Sequence, residues 1–125
     1  IYGITTNGQL YKYIDNGSGD LANPQVVGQN GWEAFSSVFP GGNGIIYAVY
    51  GGQLLKYVDN GSGDIANPQV VGQNGWDYFS KVFSGGNGVI YAVSGGQLLK
   101  YVDNGTGDFA NPPSLRKIRG ISTGM

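Results

Sequence analysis

The sequence contains no cysteine and no histidine. Without cysteine there is no disulfide framework and no zinc–thiolate site. Without histidine the commonest general base, proton shuttle and metal ligand is missing. Charge is also scarce, with seven Lys and Arg against eight Asp and Glu in 125 residues. That balance disfavours nucleic acid as a partner, because such binding is driven by neutralising phosphates. No apolar run approaches the roughly 20 residues of a membrane-spanning helix, so membrane insertion is not expected. The first residue is Ile1 and no leader segment is evident, which leaves the compartment open.

What the chain has is glycine (24 residues), 16 aromatics and a repeat. The segment Asp59–Val102 repeats Asp15–Val58 at a spacing of 44, and only seven of the 44 positions differ. These are Leu21/Ile65, Glu33/Asp77, Ala34/Tyr78, Ser37/Lys81, Pro40/Ser84, Ile45/Val89 and Tyr50/Ser94. A third copy starts at Asp103 and stops after Pro112. The units are therefore 1–14 (partial), 15–58, 59–102 and 103–112 (partial). A divergent segment, 113–125, follows and carries Arg116, Lys117 and Arg119. Residues 1–113 hold Lys12, Lys56, Lys81 and Lys100 against all eight acids, a net of −4.

Each period reads as short strands broken by turns. Ile1–Tyr13 is a hairpin around Asn7-Gly8, matched by Ile46–Tyr57 around Gly51-Gly52 and Ile90–Tyr101 around Gly95-Gly96. The loop DNGSGD at Asp15–Asp20 recurs at Asp59–Asp64 and, with Thr106, at Asp103–Asp108. Its Asn16, Asn60 and Asn104 begin Asn-Gly-Ser/Thr sequons, readable as glycosylation acceptors or as plain turn chemistry. Then come a short strand at Gln25–Gly28 after Pro24, a Gly-Trp turn at Gln29–Trp32, a strand at Phe35–Phe39 and a turn at Gly41–Gly44. Residues after Pro113 read either as a makeshift edge strand or as a tail.

Four strands in a period of 40–50 residues is the signature of a β-propeller blade. The expected fold is all-β, a propeller of about 44-residue four-stranded blades with fewer than three per chain. A propeller closes with roughly four to eight blades. The chain is therefore expected to complete a ring with further copies of itself, or to be part of a longer protein. A dimer is the first expectation, and five chains forming two rings the second. Lys12, Lys56 and Lys100 read as solvated edge residues, and the Tyr repeats as sheet packing.

The blocks Gly72-Gln73-Asn74-Gly75-Trp76, Phe79–Phe83, Ile90–Val93 and Leu98–Lys100 resemble, in that order, the blade of tachylectin-type β-propeller lectins. The resemblance implies five blades with a pocket for N-acetylated hexosamines, such as N-acetylglucosamine, between adjacent blades. The chain departs from that pattern at one place. The family's Asp-Asn-Trp of the last strand falls on Ser62-Gly63-Asp64, so each blade lacks its second Trp.

A sugar site needs an aromatic face against the ring and a few fixed polar groups for its hydroxyls. The candidates are Trp32 and Trp76 as exposed aromatics on glycine turns, flanked by Gln29, Asn30, Gly31, Gln73, Asn74 and Gly75. Asp20 and Asp64 would reach in from the preceding loop. The alternative places both Trp side chains in packing between blades. A calcium reading of DNGSGD fits poorly, since oxygen side chains are wanted at alternating places. No cofactor or metal is expected. An enzyme is not expected either, because no nucleophile–base pair or Gly-x-Ser-x-Gly elbow occurs, and repeated weak sites serve avidity better than catalysis. The function expected is a multivalent glycan-binding lectin. The alternative is a propeller scaffold, natural or designed, that holds no ligand.

Overall fold

The computed structural model describes residues 1–103 and the backbone of a strand at Ser114–Arg116. The third copy of the Asp-Gly loop beyond Asp103, the sequon at Asn104 and most of the basic segment lie outside the described residues. The chain is all-β. Its strands are β1 (Tyr2–Ile4), β2 (Leu10–Asp15), β3 (Leu21–Gly28), β4 (Ser37–Gly42), β5 (Ile45–Tyr50), β6 (Gln53–Val58), β7 (Gln69–Gly72), β8 (Lys81–Gly86), β9 (Val89–Ser94), β10 (Gln97–Val102) and β11 (Ser114–Arg116). They form three antiparallel sheets in series, β1-β2-β3, β4-β5-β6-β7 and β8-β9-β10-β11. Such sheets are blade-like, and one chain does not close them into a ring. Each sheet takes its outer strand from the start of the next sequence period, so β7 lies in 59–102 but pairs with β6 of 15–58. The segment after Pro113 supplies β11, whose backbone pairs Leu115 with Leu99.

The turns follow from local chemistry. Asn43-Gly44 and Gly51-Gly52 have φ of 53°, 77°, 57° and 81°, positive at both central residues. A two-residue hairpin turn twisted to match its strands needs such a pair. Trp32–Ala34 and Trp76–Tyr78 form single 3-10 turns, entered through Gly31 and Gly75 in the left-handed region. That turn takes up Trp32–Ala34, so the strand expected at Phe35–Phe39 begins at Ser37 instead.

The outer strands differ between copies. β3 begins at Leu21, whereas its counterpart β7 begins only at Gln69. The Ile65 N–H is drawn away to the Val27 carbonyl of the first sheet (2.8 Å). Leu21 has no earlier sheet to reach within the chain, and its backbone pairs with Asp15.

Two cores lie between the sheets. The first joins Leu10, Val27 and Trp32 to Ile46 and Ile65. The second joins Tyr47, Val49, Leu54 and Val71 to Trp76, Ile90, Ala92 and Tyr101. Of the two expectations for Trp32 and Trp76, packing between blades is the one found and the exposed aromatic face is corrected, since they are 3% and 4% exposed. The physical reason is the glycine four residues upstream. A Cβ on Gly28 would lie 2.0 Å from the Trp32 Nε1, and one on Gly72 1.9 Å from the Trp76 Nε1. The indole lies flat in the space left by the missing side chain. It is closed in by Phe35 and Tyr57 in one copy and by Phe79 and Tyr101 in the other.

Gly72→Ala should therefore cost about 2–3 kcal/mol by forcing the indole from its seat. Gly3→Ala, whose Cβ would meet only Tyr13 at 3.8 Å, introduces the residue its counterparts Ala48 and Ala92 already hold. It should change stability by less than about 0.5 kcal/mol. Denaturant midpoints of the two variants check the contrast.

Candidate functional site

The Gly-Gln-Asn-Gly-Trp segment makes a corner between the outer strand of one sheet and the inner strand of the next. Its Trp is the buried anchor, and the Trp32 N–H donates to the Gly8 carbonyl (3.1 Å). Gln29, Asn30 and Gly31 are left on the outside and are exposed. The loop of the second sheet docks on this corner. The Gln29 backbone N–H donates to Asp64 Oδ1 (3.1 Å), and the Gln29 Nε2 to the Gly63 carbonyl (2.9 Å).

Of the predicted site residues, the structure thus brings Gln29, Asn30, Gly31 and Asp64 to one corner, with Trp32 beneath it. Gln73, Asn74, Gly75 and Trp76 make the second corner, and the sequence equivalents of Gly63 and Asp64, at 107 and 108, lie outside the described residues. Asp20 hydrogen-bonds to neither corner. Its counterpart Asp64 reaches back by one sheet, and within the chain Asp20 has no sheet behind it.

A cleft of about 360 Å³ opens beside the first corner, lined by Lys12, Gln25, Val26, Val27, Asp59 and the backbone of Gly61 and Gly63. A larger cavity of about 530 Å³ lies between the second and third sheets, where Ser36, Ser37, Asp77, Ser80 and Lys81 supply polar groups and Trp76 part of the wall. The polar groups of the 360 Å³ cleft come from both sheets, so it belongs to the junction and not to either blade.

The charges at each junction are paired, which corrects the expectation that Lys12 and Lys56 are solvated edge residues. Lys56 Nζ lies 3.0 Å from Asp103 Oδ2, and the Asp103 side chain is only 1% exposed. Lys12 Nζ lies 3.8 Å from Asp59 Oδ2 at the other junction. The Tyr47 hydroxyl donates to the same Asp103 oxygen (3.2 Å). Burial, then the Asp103 charge and the hydrogen bond to it, hold the Tyr47 hydroxyl far above its ordinary value. Burial and the nearby Asp59 raise Tyr2 in the same direction.

The loop aspartates also close their own turn. The Gly17 N–H donates to Asp15 Oδ1 (3.0 Å) and the Gly61 N–H to Asp59 Oδ1 (3.1 Å). That is Asx-turn chemistry and accounts for the DNGSGD pattern without an ion. Among the described residues no three acidic side chains converge on a metal site.

The sequence reading missed Lys12, Asp59 and Tyr78. Tyr78 is 86% exposed, and its ring lies beside Gly75, where a Cβ would meet it at 3.9 Å. The signal was present as one of the seven differing positions, where the first copy has Ala34.

The raised Tyr47 sets a pH expectation. A group whose folded-state value lies above its unfolded value of 10.0 contributes stability that is intact below that pH and lost as pH rises toward the folded value. The protein should hold its stability to about pH 10 and weaken above it. Tyr47→Phe should cost about 1–2 kcal/mol at pH 8 and lose less than the parent between pH 9 and 11. Urea titrations at the three pH values check both.

Comparison with known proteins gives a family match and matches among solved structures. The family model described as Tachylectin matches residues 3–110. A solved chain, from work on the de novo evolutionary emergence of a symmetrical protein shaped by folding constraints, superposes with a TM-score of 0.64 at 21% identity. The match covers 82% of this chain and 46% of that one, so this chain spans under half of its length. At that identity the likeness concerns the fold alone. No curated protein matches the sequence.

Proposed function

The chain belongs to the tachylectin family, and on that premise we propose that it is a multivalent lectin whose glycan sites lie at the junctions between sheets. The observation that carries the reading is the 360 Å³ cleft between the first two sheets with the exposed Gln29–Gly31 corner and Asp64 at its margin. Its size is in the range of small-molecule sites, and its wall mixes Val side chains with a few fixed polar groups. Amide and carboxylate side chains suit the hydroxyls of a pyranose. Exposed backbone and Asn groups suit an acetamido substituent, which favours N-acetylated hexosamines.

The aromatic contact is reassigned. Trp32 and Trp76 shape the corner from beneath, and the sugar-facing ring at the second corner is Tyr78. Each cleft is shallow, so useful affinity comes from several acting on one glycan-bearing surface. The same reading includes self-association. Three sheets fall short of the four to eight that close a propeller, whereas two copies supply six, one more than the resemblance implies.

Substitution of exposed groups separates binding from folding. Asn74→Ala combined with Tyr78→Ala should weaken glycan binding by about tenfold or more and leave the thermal midpoint within a few degrees of the parent. A glycan array followed by calorimetry on the best hit measures it. Failure of the parent protein to bind any arrayed glycan would instead favour the ligand-free scaffold.

A further inference from the structure

The 530 Å³ cavity between the second and third sheets shares no lining residue with the 360 Å³ cleft. Its walls are the inner strands β4 and β8 and the turn Trp76–Tyr78, so it belongs to an interior junction and to neither end of the chain. Part of its lining is apolar and buried, from Phe39, Val49 and Val82. Ser36, Ser80, Asp77 and Lys81 supply polar groups around it, and all four are exposed. Ser36 Oγ donates to the Val49 carbonyl (3.3 Å) and Ser80 Oγ to the Val93 carbonyl (3.1 Å). A hydroxyl has one proton, and donating it leaves only lone pairs to offer a ligand. Asp77 adds a carboxylate, held against the neighbouring sheet's hairpin turn, where a Cβ on Gly52 would stand 3.2 Å from its Oδ1. Lys81 is the one cation of the lining. Unlike Lys12 and Lys56, neither it nor Asp77 forms an ion pair among the described residues.

We infer that this cavity binds a small zwitterion of dipeptide size with apolar side chains. The ligand's ammonium meets Asp77 and a serine oxygen, its carboxylate meets Lys81 Nζ, and its side chains lie against Phe39, Val49 and Val82. An ammonium carries three donors and no acceptor, which suits a wall of oxygens that can only accept. A neutral sugar leaves both charges unanswered, a simple anion faces Asp77, and a simple cation faces Lys81; only a ligand bearing both charges answers the pair. The volume lies in the range of small-molecule sites. Both charges stand in solvent, so the affinity is modest. Two of the seven positions that differ between the copies fall here, Glu33/Asp77 and Ser37/Lys81. The carboxylate is kept between copies and the cation is not, so the complete pair is particular to this junction. The site is independent of the glycan reading and stands or falls without it.

Chemical-shift titration of the full chain with leucyl-leucine tests the assignment. Two blocked forms serve as controls: N-acetyl-leucyl-leucine, which lacks the ammonium, and leucyl-leucinamide, which lacks the carboxylate. Leucyl-leucine should bind with a Kd of about 1 mM or tighter, and each blocked form about tenfold more weakly. The shifts should centre on Ser36–Val38 and Asp77–Val82. Asp77→Asn should weaken leucyl-leucine about tenfold and leave the N-acetyl form as it was. Lys81→Ser, which installs the residue the first copy holds at 37, should weaken leucyl-leucine about tenfold and leave the amide as it was. Both side chains are exposed, and circular dichroism checks that the variants fold. The matching of each variant to one blocked group is a result that a general loss of structure does not give. A folded parent that shows no shifts with leucyl-leucine at about 10 mM overturns the site. Equal binding of the blocked forms, full binding by both variants, or shifts centred on Gln73–Gly75 instead overturns it as well.

Discussion

A β-sheet with apolar side chains on both faces has no side to turn to water. Strand β5 puts Ile46, Tyr47, Ala48 and Val49 in succession, and all four are buried. Half-buried strands alternate; only a sheet covered on both faces reads as a continuous apolar run. Ile46 packs backward toward the first sheet and Tyr47 forward toward the third. The middle sheet is complete because it has two neighbours, and each outer sheet has one. The contact between sheets is therefore the unit of this protein, and the blade is what lies between two contacts.

That contact is built from small departures from regular structure. The register of β3 on β2 slips between Leu10 and Tyr11, and that of β7 on β6 between Leu54 and Leu55. The slips leave Val27 and Val71 as extra residues, and both are buried in the junctions. A bulge re-aims a side chain in this way. The Val27 carbonyl then accepts from Ile65 in the following sheet. The glycine after each bulged Val seats the indole, and the tryptophan's backbone N–H donates to the hairpin turn at Gly8 or Gly52. Bulge, glycine and indole act together, which fits their occurrence as an unbroken sequence block.

The fold was legible because its signals are local. Asn43-Gly44 and Gly51-Gly52 announce hairpins, and a 44-residue period with four such runs announces blades. The site was less legible because its determinants are distant in sequence. Lys56 and Asp103 are 47 residues apart, as are Lys12 and Asp59, and only the stacking of one sheet on the next joins them. A lysine in an exposed-looking strand therefore read as an edge residue. Whether Trp32 faced solvent or packed between blades stayed open, because turn composition reports the backbone path. It does not report that Gly28 leaves a slot the width of an indole. Gln29 and Asp64 were both named from sequence, and their hydrogen bond follows from the same stacking.

The positions at which the two full copies differ show what the junction demands. Trp, the seat glycine, the bulged Val and the Lys–Asp pair are the same in both copies. Glu33, Ala34, Pro40 and Tyr50 are exposed in the first copy, and all change in the second. Leu21 becomes Ile65, a swap between two apolar residues at a docking position. A residue that touches the next sheet must suit a neighbour carrying the same sequence, so a change there alters every junction together. A residue outside the junction carries no such burden. Ala34 and Tyr78 belong to the second class yet stand on the corners proposed to meet sugar. The same stacking that holds the junctions alike thus leaves the glycan-facing rim free to differ from one junction to the next.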